Sequence, residues 1–104
     1  MTKKEIYNHE WKEGEAIWVI EKSRILEYRV NSIFRYPNLY LYIELSLAEK
    51  SRKIMKKMEE CAKIYCWRYY PDYDFSGPFL VKNIFLSDIK AERELKKRVK
   101  KNDS

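Results

Sequence analysis

Lys96, Lys97, Arg98, Lys100 and Lys101 crowd the end of this sequence, with no acid between Glu94 and Asp103. Such a cluster neutralises phosphates, each contact adding about 0.9 to the salt slope of duplex binding. Its plainer role is helix chemistry: cations near a helix C-terminus complement the macrodipole by roughly 0.3–1 kcal/mol each and keep a small protein soluble. A second basic set, Lys53, Lys56, Lys57 and Lys63, is interleaved with Glu49, Glu59 and Glu60. Glu49 with Lys53 and Glu59 with Lys63 have the i,i+4 order that supports a helix, so part of this set is ordinary helix stabilisation. Trp67 and Arg68 then open an aromatic run, Trp67-Arg68-Tyr69-Tyr70-Pro71-Asp72-Tyr73-Asp74-Phe75. Rings interleaved with Arg stack bases or anchor a protein interface. They also serve as a loop tucked over the core edge with its phenols hydrogen-bonded.

Pro71-Asp72 and the later Asp88-Ile89-Lys90 resemble the PD-(D/E)xK constellation of nucleases, in which two carboxylates bind Mg²⁺ and a lysine assists the attacking water. That family places its acids on adjacent strands. Here Asp72 reads as part of a turn and Asp88 as a helix start, where a carboxylate also has a simple stabilising role. Cys61 and Cys66, five apart on an expected helix, are rotated by about 140° and cannot close a disulfide. Both read as small buried hydrophobes. With no C-x-x-C and a single, remote histidine, His9, neither structural zinc nor a cofactor is expected. Glycine-rich phosphate loops and a Ser-His-Asp set are likewise missing from the sequence, so a non-enzymatic role is expected.

The elements that would position these groups follow from periodicity. Thr2 and Glu5 have the form of a capping box, with Gly14 able to close a short helix carrying Ile6, Tyr7 and Trp11. A strand with Tyr7, His9 and Trp11 alternating competes for the same residues 3–13. Ala-Ile-Trp-Val-Ile at 16–20 is β-branched and aromatic, a first strand. Leu26, Tyr28 and Val30 alternate with polar residues, and beyond Pro37-Asn38 so do Leu39, Leu41, Ile43 and Leu45, which predicts an antiparallel meander. Ser46-Leu47-Ala48-Glu49 is a second capping box. After it Leu47, Ile54, Met55, Met58, Cys61, Ala62, Tyr65 and Tyr69 fall within a sector of about 120° at helical spacing. This predicts a long amphipathic helix over about 46–70. On its wheel Ile64 and Trp67 lie on the charged face, so something is expected to cover them: the last helix, a second subunit or nucleic-acid bases. Residues 79–86, apolar on both faces apart from Lys82 and Asn83, predict a central strand. Ser87 caps a last helix over about 87–101, with a narrow stripe of Ala91, Leu95 and Val99.

At 104 residues, 45% hydrophobic and 15% aromatic, the chain has the size and composition of one folded domain. The expected architecture is α+β: an antiparallel sheet of about four strands against the long central helix, with the C-terminal helix on the surface. The net charge of +6 is local. Residues 1–45 hold seven basic and seven acidic groups and 71–86 one and two, whereas 46–70 hold seven and three and 87–104 seven and four. All the excess therefore sits on the two predicted helices. Apolar runs are far shorter than the ~20 residues of a membrane span, and residues 1–15 lack the apolar segment of a signal peptide, so a cytoplasmic location is expected.

Charged residues make up 37% of the chain, Gln is absent and Thr occurs once, a pattern associated with hyperthermophiles. With its many Ile, Tyr and Lys residues the composition resembles that of small orphan proteins of viruses infecting hyperthermophilic archaea. The functional expectation is a small basic binding protein that contacts nucleic acid, DNA or RNA, through Lys53, Lys56, Lys57, Lys63, Trp67, Arg68, Lys96, Lys97, Arg98, Lys100 and Lys101. The alternative is a homo-oligomer, or a binder of a host protein, that uses Ile64, Trp67 and neighbouring aromatics.

Overall fold

Period-2 alternation decides most of the chain. In a computed structural model, which describes residues 1–55 and 61–102, one face of the sheet is built from Ile17 and Val19 of β1 (Ala16–Glu21), Leu26, Tyr28 and Val30 of β2 (Arg24–Tyr36), Leu41, Ile43, Leu45 and Leu47 of β3 (Tyr40–Leu47) and Ala62, Ile64 and Cys66 of β4 (Cys61–Tyr69), all buried. β5 (Asp72–Ser76) and β6 (Ile84–Phe85) complete six antiparallel strands in the order β5, β4, β3, β2, β1, β6. The result is a curled half-barrel.

Tight turns set the register. The β1–β2 hairpin reverses between Glu21 and Arg24 with Lys22 at φ 56°, and β2–β3 reverses through Pro37-Asn38-Leu39 with Asn38 at φ 59°. Asn tolerates this left-handed conformation because its short amide bonds locally. Between Val30 and Ser32 the β2–β3 register shifts by a bulge at Asn31. A bulge inserts one residue and so exchanges the faces beyond it. Ile33 and Arg35 thereafter share the face of Ile43 and Leu41, while Phe34 and Tyr36 pair with Tyr42 and Tyr40 on the other.

The inner face is closed by the N-terminus. α1 (Lys3–Asn8) begins at a true capping box: Thr2 Oγ1 accepts from the Glu5 N–H at 3.1 Å and the Glu5 carboxylate accepts from the Thr2 N–H at 3.2 Å. These bonds hold the Glu5 carboxyl below its ordinary pKa. Residues 3–13 are thus helical first, and Trp11 follows in the loop, buried, donating its indole N–H to the Ile6 carbonyl at 2.8 Å. The N-terminal ammonium donates to the Ile84 carbonyl at 2.8 Å, tying α1 across to β6.

On the outer face, α3 (Asp88–Asn102) packs over β1, β6 and the first half of β2, with Ala91 fully buried. α2 (Glu49–Met55) lies beside it. Where β2 runs past the end of β3, α2 supplies the missing backbone partners: the Glu27 N–H donates to Ser51 Oγ at 2.8 Å, and the Glu27 carbonyl accepts from the Ala48 N–H at 2.9 Å.

Three expectations fail. The aromatic run 67–75, expected as a loop over the core edge with Asp72 in a turn, is the end of β4 and the edge strand β5. The central helix over 46–70 does not form. Its place is taken by the end of β3, the seven-residue α2 and strand β4. Residues 61–69 satisfy both periods, but Ile64, Tyr65 and Trp67 suit a pleated surface, and pairing with β3 from Tyr40↔Trp67 to Ser46↔Cys61 supplies backbone bonds on a hydrophobic face. Tertiary pairing overrides the helical wheel, and the sheet gains strands beyond the four expected. The predicted central strand over 79–86 is also corrected: Val81–Asn83 is a 3-10 turn, and only Ile84–Phe85 pair, at the sheet edge. Pro78 and exposed Leu80 precede that turn. Among the described residues no helix is long and apolar enough to cross a membrane.

Candidate functional site

α3 divides its residues cleanly. At 100° per residue Ala91, Leu95 and Arg98 point toward the sheet, and Lys90, Arg93, Lys96, Lys97 and Lys100 fall within an outward sector of about 120°. All five outward cations are exposed. Among the described residues none of them forms an ion pair with an acid. Along the axis the row extends about 15 Å, comparable to two or three phosphate steps of a duplex strand.

Arg98 belongs to a different part of the structure. Its guanidinium donates to Asn83 Oδ1 at 2.7 Å and to the Lys82 carbonyl at 3.3 Å, and pairs with Glu94 at 3.1 Å. It buttresses α3 against the 3-10 turn. Lys101 is exposed at the helix end. Lys90, which the sequence placed only in the nuclease-like motif, and Arg93, which it did not single out, complete the row. Their signal lies in the wheel of the last helix, where both fall on the side of Lys96, Lys97 and Lys100.

The other expected site residues are dispersed. Lys53 lies on α2 and pairs with Glu49 at 3.7 Å, both highly exposed. Lys56 and Lys57 lie outside the described residues. Lys63 and Trp67 project from β4 on the outer face, not from a helix, and Ile64 is buried in the core. Arg68 points the other way, donating to Asn38 Oδ1 at 3.0 Å with its guanidinium near the Tyr69 and Tyr7 rings.

What surrounds Trp67 was not legible from sequence. Across the outer face of β2, β3 and β4 it joins Phe34, Tyr36, Tyr40, Tyr42 and Tyr65. Ring centroids lie 4.8 Å apart for Tyr40–Trp67, 5.0 Å for Tyr42–Tyr65 and 5.7 Å for the near-parallel Tyr36–Tyr40 pair. Phe34, Tyr36 and Tyr65 are 52%, 51% and 36% exposed. Tyr42 donates to the Glu44 carboxylate at 3.0 Å, and desolvation together with that carboxylate raises the phenol's pKa. The charges here are mixed. Lys63 sits opposite Glu44 in the register, and Asp74 opposite Trp67.

The nuclease-like residues are not brought together. Asp72 opens edge strand β5, and Asp88 begins α3 after the opposite edge strand, β6. Five interstrand steps of roughly 4.8 Å separate those edges along the sheet. Asp88 instead accepts from the Ile89 N–H at 2.8 Å. Cys61 and Cys66 are unpaired, one exposed on the outer face and one buried in the inner. Burial pushes the Cys66 thiol up to about 11. Comparison with protein-family models, curated proteins and solved structures gives no match.

Proposed function

We propose that this is a small cytoplasmic binding protein without catalytic activity, which contacts nucleic acid through the outward face of α3. The observation that carries the reading is the exposed row of Arg93, Lys96, Lys97 and Lys100, extended by Lys90, which also lies within the electrostatic reach of Glu5, on a helix whose opposite side is packed on the sheet. A rigid row of this kind meets phosphates without first breaking ion pairs of its own, and the counterions released drive association. Charge alone reads no sequence, so binding is expected to be non-specific. A composition that resembles proteins of archaeal viruses supports a viral origin and a place in the host cytoplasm.

Fluorescence anisotropy with a labelled DNA duplex over a salt series tests the reading. Wild-type protein should bind at low salt and weaken steeply as salt rises. Lys96→Gln/Lys97→Gln/Lys100→Gln should lower the slope of log K against log salt by about 0.9 for each phosphate contact removed. No binding at low salt would refute the proposal.

A further inference from the structure

The basic row of α3 is narrow. On the helical wheel Glu92 and then Val99 border it on one side, and Glu94, whose carboxylate holds Arg98 at 3.1 Å, borders it on the other. Asp88 and Glu92 line the cleft between α3 and α2 together with Lys50, so carboxylates stand between that lysine and the row. What α3 offers is a straight strip of positive charge about 15 Å long and roughly 10 Å wide. The strip is also fixed. Ala91 is fully buried against the sheet, and Arg98 ties the helix to Asn83 and to the Lys82 carbonyl, so the lysine stems can turn but their line cannot. No aromatic residue occurs in α3, and Ile89 is the single apolar side chain within the strip.

We infer that the nucleic acid this strip takes is double-stranded, held by one of its two backbones lying along the helix axis. The inference rests on the nucleic-acid reading of α3 and narrows it. A straight, fixed line of cations matches a partner whose own charges are held in line. A duplex is stiff over ~150 base pairs and carries one charge per ~1.7 Å of its axis. A single strand must instead be ordered as it binds. Stacking of bases on aromatic side chains offsets that cost in single-strand binders, and α3 has none to offer. The exposed rings Phe34, Tyr36 and Tyr65 lie over the far half of β2 and over β4, whereas α3 packs on β1, β6 and the first half of β2. The flanking carboxylates set the direction. A backbone crossing the helix, or a broad anionic surface covering it, brings phosphates against Glu92 or Glu94, and like charges repel. Alignment with the axis places successive phosphates against Arg93, Lys97 and Lys100 and avoids both acids. About three phosphates are then contacted, which gives a salt slope of about 2.7 for a duplex.

Competition anisotropy at low salt tests this, with a labelled DNA duplex displaced by the unlabelled duplex or by one of its separated strands at equal phosphate concentration. The duplex should compete about tenfold better than the single strand. Glu92→Gln, an exposed change, should tighten duplex binding about two- to threefold by removing a flanking charge. Phe34→Ser/Tyr36→Ser should leave the affinity for both probes unchanged. A single strand that competes as well as the duplex overturns the inference while the salt-dependent reading of α3 stands. Loss of binding in Phe34→Ser/Tyr36→Ser overturns it too, because the rings would then be stacking bases. Indifference to Glu92→Gln removes the alignment along the helix axis. Binding of neither probe refutes the reading of α3 itself, and the inference with it.

Discussion

The two halves of the outer sheet face meet solvent in different ways. In one, Trp18, Ile20 and Ile25 carry no polar tip suited to an open surface, apart from the indole N–H, and the chain returns α2 and α3 to cover them. In the other, most outward rings are tyrosines, which keep a wet hydroxyl above an apolar body. The covered half is part of the fold. The open half leaves Phe34, Tyr36 and Tyr65 exposed.

Substitutions should separate the halves sharply. Ala91→Glu places a carboxylate at a fully buried contact between α3 and the sheet and should cost about 3 kcal/mol or more in urea unfolding. Arg98→Ala removes three bonds to the turn and to Glu94 and should cost roughly 1–2 kcal/mol, whereas Lys97→Ala, one position away, should stay within about 0.5 kcal/mol and alter only salt-dependent binding. If these two arginine and lysine changes were equally destabilising, the division of α3 into inward and outward faces would fail. Thr2→Ala, which removes one half of the capping box, should cost about 1 kcal/mol.

Burial distinguishes the two cysteines, Cys61 exposed and Cys66 buried. The folded-state pKa of Cys66 lies above its unfolded value of 9.0, at about 11. The unfolded chain therefore ionises first, and the contribution of this thiol to stability, complete below pH 9, is lost as pH rises toward 11. At mildly alkaline pH a thiol reagent should modify Cys61 well before Cys66, and equal rates would show that β4 does not bury Cys66.

Much of the sheet was legible because alternation is local. Ile17 and Val19, Leu26 to Val30 and Leu41 to Leu45 declare one buried face without reference to any partner. The long helix was misread because Cys61, Ala62, Tyr65 and Tyr69 fit a 3.6 period as well as Ala62, Ile64 and Cys66 fit a period of two, and only pairing with β3 distinguishes them. The aromatic face was hidden for a related reason. Phe34 and Tyr36 look outward only because the bulge at Asn31 exchanges faces, and no residue type there announces it. Lys96, Lys97 and Lys100 were readable from the sequence as a surface, since a basic helix end needs no tertiary information. Arg98 was not, because its partner Asn83 lies in a turn that periodicity read as a strand.

The most direct test of the division between these surfaces is an NMR titration of ¹⁵N-labelled protein with a short DNA duplex at low salt. The account predicts shifts concentrated in the backbone amides of residues 90–100, with those of Phe34, Tyr40 and Trp67 unmoved. Shifts centred on Phe34, Tyr40 and Trp67, with α3 silent, would contradict it.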